Sequence, residues 1–318
     1  MAFLMPRYWP SWLGLALLRL SLIVPRLWID AVGTQLGKLY YRLNKKRRKI
    51  ALINLHMAFP EKTDAERELL AKRHFIVTIQ ALLDSALLWW GSDKRLQQYI
   101  QIVGIENYQQ VIEQNKNVIL LTGHFIGLEF GGTMVSKHFP HIGLIKPLRN
   151  PLINWYVARG RTRYGALLYL RNDGMRPVVK AIKSGHGFYY LPDEDHGLDK
   201  SVFVDFFATK AAMLKGVAKL VRLCDAAALP AYVRRIDGKH GYELVIKPAL
   251  KDFPSGDEQQ DAQRVAASLE ENIRQHPEQY MWTYRLFNTR PGGEKTPYER
   301  PRDKRRAKLA EAHGQQKP

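Results

Sequence analysis

The chain has 318 residues, of which 46% are hydrophobic, and its 49 Lys and Arg against 30 Asp and Glu give a formal charge of +19. This composition excludes a disordered protein and is sufficient for a large folded core. The charge predicts an anionic partner, either nucleic acid, acidic lipid or an acidic carrier protein, and the single cysteine, Cys224, excludes an intramolecular disulfide.

The first predicted element is an apolar segment from Trp9 to Val24, WPSWLGLALLRLSLIV, which is interrupted by Arg19. A membrane-spanning helix needs about 20 apolar residues, so this short segment either crosses the bilayer or lies in its interface. We therefore predict a membrane anchor in residues 1–32, with a buried core helix as the alternative.

A basic run, KLYYRLNKKRRK, follows at residues 38–49. Such a cluster binds an anionic leaflet and, by the positive-inside rule, keeps the rest of the chain on the cytoplasmic side. A solvated basic helix face is the alternative interpretation.

Residues 33–100 are predicted to be helical and to lie next to the membrane. Apolar residues recur at helical spacing after Thr63, which is a candidate N-cap with Glu66 at capping-box distance. Gly91, after two tryptophans, is a natural stop.

From about residue 101 the pattern changes to short β-rich runs alternating with helical stretches. This alternation predicts an α/β core over residues 101–290, with a mixed central sheet flanked by helices. A hairpin turn is predicted at Asp237-Gly238, and residues 291–318 are predicted to be a basic, poorly ordered tail. The predicted strands are residues 117–122, 141–146, 166–170, 187–191, 228–233 and 242–247, and the predicted helices lie near 151–164, 174–184, 211–224 and 257–275.

Several enzyme classes are disfavoured because their motifs are absent. The sequence has neither GxSxG nor HExxH, and GTQLGKL is one residue short of a phosphate-binding loop. No CxxC or zinc pattern is present either.

The segment NVILLTGHFIGLEF, residues 117–130, places a histidine where an apolar strand ends. Ligand sites of open α/β sheets lie at that edge. In a regular helix His124 and Glu129 would point roughly 140° apart, so they can pair only if His124 lies in the turn before the helix. Paired in that way they would form a general base, and otherwise His124 is a histidine at a helix cap.

Three further segments end strands with polar or turn residues, and all can converge on the same edge. They are YLRND with Arg171, LPDEDHG with Asp193 and Asp195, and ALPAYV with Pro230. A solvated acidic turn is the alternative for PDEDHG. Its carboxylates alternate between faces and give no obvious ligand set, so no metal is expected.

Five motifs, GHFIGLE, YLRNDG, LPDEDHG, SVFVDFF and PEQYMWTYRLFNTRP, occur in this order. They resemble the late acyltransferases of lipid A biosynthesis, and the resemblance covers nearly the whole chain. At four blocks the chain is also similar to glycerolphosphate acyltransferases: the HxxxxD/E block at His124 to Glu129, Gly165 to Arg171, Pro192-Asp193, and Pro230.

The resemblance implies a glycerolphosphate-acyltransferase-like fold and an enzyme of the bacterial inner membrane, single-pass or monotopic, with its catalytic domain on the cytoplasmic side. It implies transfer of an acyl chain from acyl carrier protein, less often from a CoA thioester, to a hydroxyl of a lipid A precursor. The expected partners are therefore the acidic carrier protein, an anionic glycolipid acceptor and membrane lipids. No cofactor other than the acyl thioester is expected.

On this basis His124 is predicted to be the general base, Glu129 to orient it, and no covalent acyl-enzyme to form. Developing charge on the thioester oxygen needs a donor, for which Arg161 is the candidate. Arg171 is predicted to bind acceptor phosphate. The remaining predicted substrate-binding residues are Arg159 and Arg163, which are weaker donor candidates, and Asp193 and Asp195, which would bind acceptor or anchor the arginines.

Two departures from the family pattern concern acceptor specificity. WTYRLFNTRP is less basic than the corresponding family segment, and FFATKAAML lacks a glycine that often follows the phenylalanines.

Alternative functions are an acyltransferase for another glycolipid or a phospholipid precursor, a thioesterase that uses the same His124–Glu129 pair, and an inactive membrane scaffold. A nucleic-acid-binding module is disfavoured because the aromatic residues do not alternate with the basic ones.

Overall fold

Five α-helices precede the first strand in the computed structural model, which describes residues 2–236 and 241–298. The predicted capping box is confirmed, since the side chains and backbone of Thr63 and Glu66 cap the fourth helix reciprocally, and Gly91 ends it. Asn44 caps the third helix by accepting a hydrogen bond from the backbone of Arg47. The helices are α1 (Trp9–Leu20), α2 (Arg26–Leu43), α3 (Lys45–Ala58), α4 (Asp64–Trp90) and α5 (Asp93–Tyr99).

The apolar N-terminal segment does not form one continuous helix. α1 has twelve residues, and Pro25 separates it from α2. None of the helices within residues 2–236 and 241–298 combines the length and the apolar character that crossing a bilayer requires. The predicted spanning anchor is therefore not supported.

α2 packs closely against α4 through two glycines one turn apart. A Cβ on Gly37 would lie 2.5 Å from the Cα of Ile76, and one on Gly33 would lie 2.8 Å from Cγ of Gln80. The close approach therefore requires glycine. The opposite side of α2 carries exposed leucines and Trp28.

The central sheet of the described residues has seven strands in the order β1-β9-β8-β2-β5-β3-β4. The strands from β8 to β4 are parallel, β9 is antiparallel to β8, and β1 is parallel to β9, which confirms the predicted mixed sheet. Its strands are β1 (Ile100–Val103), β2 (Asn117–Leu121), β3 (His141–Ile145), β4 (Leu167–Leu170), β5 (Gly187–Tyr190), β8 (Ala226–Ile236) and β9 (Gly241–Ile246), and β6 (Ser201–Phe206) and β7 (Thr209–Leu214) form a separate antiparallel pair.

Helices cover both faces of the sheet, and this explains why β2 is continuously apolar. Val118 and Leu120 belong to one buried cluster, while Ile119 and Leu121 belong to another on the opposite face. Strands buried on both faces have no polar alternation. The covering helices are α6 (Ile105–Glu113), α7 (Leu128–His138), α8 (Pro151–Arg161), α9 (Arg176–Lys183), α10 (Gly216–Leu223) and α11 (Glu258–Gln275).

All six predicted strands are confirmed, but β1, β6 and β7 were not predicted. The prediction of helix from residue 211 is wrong for residues 211–214, which belong to β7 (Thr209–Leu214). Its sequence, TKAAML, has the alanines of a helix, but pairing with β6 determines its structure. The predicted turn at Asp237-Gly238 and residues 299–318 of the predicted tail lie outside the described residues.

Candidate active site

The sheet topology brings His124 and Asp193 together. β2 and β5 are parallel neighbours in which Leu121 pairs with Tyr190, and each functional residue comes three positions after that pair. Both therefore leave the carboxyl edge of the sheet at the same height, where open α/β sheets bind ligands. Pro230 of β8 pairs with Leu121 from the other side.

His124 lies in the turn before α7, as predicted, and the Asp193 carboxylate fixes it at two points. The backbone N–H of His124 donates to Oδ2 at 2.7 Å, and Nδ1 lies 2.8 Å from Oδ1. A Cβ on Gly123 would approach Oδ2 to 3.1 Å, so a glycine before the histidine leaves room for the carboxylate. With Nδ1 held by Asp193, Nε2 is the nitrogen that can accept a proton from a substrate.

Asp193 is an ionised carboxylate in a buried position. Its side chain is completely buried, and Oδ2 also accepts a hydrogen bond from the hydroxyl of Tyr280 at 2.8 Å. Burial by itself would raise the pKa of Asp193, but the charge of His124 and the hydrogen bonds from His124 and Tyr280 outweigh burial and lower this pKa below its ordinary value.

The same contact acts in the opposite direction on the imidazole. Burial would lower the pKa of His124, but the charge and hydrogen bond of Asp193, with a smaller contribution from Glu194, raise this pKa above its ordinary value. The pair is therefore an imidazole whose basicity is increased by a buried carboxylate.

The prediction that Glu129 orients His124 is wrong. Glu129 lies in the first turn of α7 and accepts two hydrogen bonds from Arg161, one from Nε to Oε2 at 2.8 Å and one from Nη2 to Oε1. Nδ1 of His124, the nitrogen that must be held to leave Nε2 free for a substrate, is already held by Asp193. α7 directs Glu129 towards the end of α8, whereas the loop after β5 brings Asp193 to the histidine.

The predicted arginines in α8 and just after it are engaged with protein groups. Arg161 donates two hydrogen bonds, from Nε and Nη2, to the carboxylate of Glu129. Arg163 donates to the carbonyl of Gly91 and to Oδ1 of Asp93, both at 2.7 Å, and so attaches the end of α8 to the end of α4. Arg159 lies over the ring of Trp155, 5.4 Å from its centroid. Neither Arg159 nor Arg163 reaches the His124–Asp193 pair in this arrangement.

The acidic loop after β5 provides two further contacts. Arg171, which follows β4, pairs with Glu194, a residue to which no role was assigned from the sequence. Asp195 accepts hydrogen bonds from the backbone and hydroxyl of Thr289, at 2.6 and 2.7 Å. The predicted anchoring of arginines by Asp193 and Asp195 is therefore wrong, because Asp193 holds the histidine and Asp195 holds the segment containing Thr289.

A segment near the end of the described chain closes over the site. The backbone N–H of Met281 donates to the carbonyl of His124 at 2.9 Å, and the ring of Tyr284 lies beside the His124 ring with the centroids 4.9 Å apart. The fully buried Asn54 of α3 donates to the carbonyls of Trp282 and Tyr284. Sequence reasoning missed these residues, although their motif was noticed and Asn54 is a polar residue on an otherwise apolar helix face.

A sequence model of bacterial lipid A biosynthesis acyltransferases matches residues 1–289. The chain belongs to this family. The family inferred from the motifs is thus confirmed, and the protein is an acyltransferase.

Relatives of the acyltransferase are similar over almost their whole length. It is 36% identical to the lipid A biosynthesis lauroyltransferase of Escherichia coli K12 over 293 residues, which are 92% of this chain and 95% of the relative. It is 34% identical to the lipid A biosynthesis palmitoleoyltransferase of the same organism over 297 residues, 93% of this chain and 96% of the relative. With the myristoyltransferase it shares 34% identity over 301 residues, 94% of this chain and 93% of the relative.

Proposed function

We propose that this acyltransferase moves a fatty acyl chain from acyl carrier protein, or less often from CoA, to a hydroxyl of a lipid A precursor. The observation that carries the proposal is the imidazole of His124, fixed by a buried carboxylate at the carboxyl edge of the sheet. The names of the related lauroyl-, palmitoleoyl- and myristoyltransferases support the acceptor class.

In the proposed reaction Nε2 of His124 takes the proton of the acceptor hydroxyl, and Asp193 stabilises the resulting imidazolium. The acceptor oxygen attacks the thioester carbonyl carbon, the new C–O bond forms, and the C–S bond breaks as the tetrahedral intermediate collapses. The proton on His124 then passes to the departing thiolate. No covalent acyl-enzyme is required, because the acceptor hydroxyl attacks directly.

Two partly exposed ion pairs are suited to the anionic groups of the acceptor. The side chains of Arg171 and Glu194 are 36% and 34% exposed, and those of Arg161 and Glu129 are 32% and 36% exposed. Such pairs contribute little to stability, so a phosphate can replace the carboxylate at low cost and bind the guanidinium at two points. Arg171 is the proposed phosphate ligand, and Arg161 is available to a second anionic group.

The positive charge of the chain supports an acidic partner. Acyl carrier protein is acidic, the acceptor carries phosphates, and the inner leaflet is anionic, so a +19 chain attracts all three. The donor thioester would then be delivered by electrostatic attraction rather than by a dedicated cofactor site.

The direct test is a transfer assay with purified protein in detergent, acyl carrier protein loaded with laurate or myristate, and lipid A precursor. We expect a new ester on the precursor by mass spectrometry and no release of thiol without the acceptor. Release of free fatty acid at the same rate with and without acceptor would identify a thioesterase instead.

A parallel reaction with a phospholipid precursor tests the class of acceptor. Faster transfer to that acceptor would contradict specificity for lipid A.

We further propose that α1 and α2 lie in the membrane interface at the cytoplasmic face of the bacterial inner membrane. Their outward side chains are large and apolar, as in interfacial helices. In α2, Leu27 is 71% and Trp28 67% exposed, and Ile23 in the connection between the two helices is 80% exposed. The basic first turn of α3 follows directly and is suited to anionic headgroups.

Replacing Lys45, Lys46 and Lys49 together by glutamine should weaken binding to vesicles containing anionic lipid on the order of 100-fold at low salt, since each charge near such a surface contributes about 1 kcal/mol. All three side chains are exposed, so stability should not change. The measurement is co-sedimentation of the full chain with vesicles.

The matched control replaces three exposed lysines elsewhere, namely Lys94, Lys116 and Lys251. This control variant has the same net charge and should bind nearly as well as the wild type. Equal losses in both variants would show that only net charge matters and would contradict a membrane-binding role for α3.

A further inference from the structure

We propose that Tyr284 is a further catalytic residue, whose hydroxyl donates a hydrogen bond to the thioester carbonyl oxygen as that oxygen becomes negative. This inference rests on the proposed acyl transfer and assigns the donor that the reaction needs.

The reaction needs a hydrogen-bond donor for the thioester oxygen. Direct attack on a thioester places negative charge on the carbonyl oxygen, and a fixed hydrogen-bond donor at that position is often the largest single contribution to catalysis. Arg161, the donor predicted from the sequence, uses Nε and Nη2 on the carboxylate of Glu129. We assign Arg161 to an anionic group of the acceptor, so the hydrogen bond to the thioester oxygen comes from another residue beside His124.

Tyr284 lies in a suitable position beside the general base. Its ring is inclined at 63° to the His124 ring, with the centroids 4.9 Å apart, and 36% of the residue is exposed. The acceptor hydroxyl would be hydrogen-bonded to Nε2 of His124. The thioester carbon that its oxygen attacks would therefore lie next to this ring. With the two rings in contact, the proposed partner of the Tyr284 hydroxyl is the oxygen of the same tetrahedral carbon.

The hydroxyl of Tyr284 is available for a substrate. Within residues 2–236 and 241–298 it forms no hydrogen bond, whereas the hydroxyl of Tyr280, four positions earlier, donates to Asp193. Burial, together with the charges of Glu194 and Asp193, raises the pKa of Tyr284 above its ordinary value. The phenol therefore keeps its proton at neutral pH, as a donor must.

The backbone around Tyr284 is held firmly, so the donor is positioned before the substrate arrives. Its carbonyl accepts a hydrogen bond from Nδ2 of Asn54 at 2.7 Å, and its N–H donates to the carbonyl of Met281 at 3.1 Å. The carbonyl of Thr283 accepts from Nη1 of Arg47 at 2.8 Å. A donor with fixed geometry needs no reorganisation during the reaction.

In the resulting step the proton of the acceptor hydroxyl goes to Nε2 of His124 as the C–O bond forms. The carbonyl π electrons move to the oxygen, which accepts the hydrogen bond from Tyr284 without taking its proton. Collapse of this intermediate breaks the C–S bond, and the thiolate takes the proton from His124. Tyr284 ends the cycle unchanged.

The test is Tyr284→Phe, which removes the hydroxyl and keeps the ring against His124. We expect kcat to fall about 100- to 1,000-fold, with little change in the KM of donor or acceptor, because the hydrogen bond strengthens only as charge develops. The acid limb of the pH profile, which reports His124, should stay in place. The thermal midpoint should also be unchanged, since no hydrogen bond within the protein is lost.

Tyr41→Phe is the matched control, because it makes the same chemical change on α2, where the ring packs against Phe75. This control should retain full kcat. A Tyr284→Phe variant with kcat within about threefold of wild type, or with a raised KM and unchanged kcat, would overturn the inference. If that variant is active while His124→Gln is inactive, the proposed function stands and only the role of Tyr284 is rejected.

Discussion

Replacing His124 with alanine should lower kcat for acyl transfer at least about 100-fold, the lower end of what a well-placed general base contributes. His124 is the group whose Nε2 would take the acceptor proton, and its orientation depends on contacts with Asp193 at both its backbone and its ring. The measurement is the initial rate of ester formation on lipid A precursor at saturating acyl carrier protein thioester.

Two further variants separate chemistry from folding. Glutamine at position 124 can still donate a hydrogen bond to Asp193 but cannot act as a base, so His124→Gln should be as inactive as the alanine variant while keeping the wild-type thermal midpoint. His138, exposed at the end of α7, provides the matched control, and His138→Ala should be fully active. A rate of acyl transfer by His124→Ala close to that of the wild type would contradict the proposed mechanism.

The position of His124 could be predicted from the sequence because it depends on local signals. NVILL is apolar without alternation, so it predicts a strand buried on both faces, and the following Thr122 and Gly123 predict the turn that holds the histidine. The capping box at Thr63 is equally local. These features need no knowledge of which strands are neighbours.

The partner of His124 could not be predicted in this way. Glu129 is close in sequence, but Asp193 is 69 positions away and reaches the histidine only because β5 lies next to β2 with Leu121 opposite Tyr190. No spacing rule contains that register. The same holds for Tyr280 and Tyr284, which follow α11 and return to the sheet edge through tertiary contacts such as the bridge between Tyr280 and Phe125.

The β6–β7 pair was missed for a related reason. Its second strand contains alanines that suit a helix, and the choice between the two conformations depends on pairing with β6 and packing on α11. The side chain of Gln263 in α11 accepts a hydrogen bond from the backbone N–H of Asp205 and donates one to its carbonyl. The helix therefore provides hydrogen-bond partners for the free edge of β6. Local propensity does not include such contacts.

Replacing Asp193 with asparagine should lower kcat about 100- to 10,000-fold and move the acid limb of the pH profile to lower pH. His124 acts as a base only when neutral, so the rate falls as the pH drops through its pKa. Asp193 raises the pKa of His124. Without that charge the pKa falls and the histidine stays neutral at more acidic pH, yet the imidazolium formed in the reaction is no longer stabilised. The measurement is log(kcat/KM) from pH 5 to 9.

Glu194→Gln is the control for this prediction, since the charge of Glu194 also raises the pKa of His124 but less than that of Asp193 does. This variant should shift the acid limb in the same direction by a smaller amount. Its rate loss should also be smaller, because Glu194 contacts Arg171 and His196 rather than the ring of His124. An acid limb that stays in place in Asp193→Asn, or moves further in Glu194→Gln, would show that Asp193 is not the carboxylate that sets the basicity of His124.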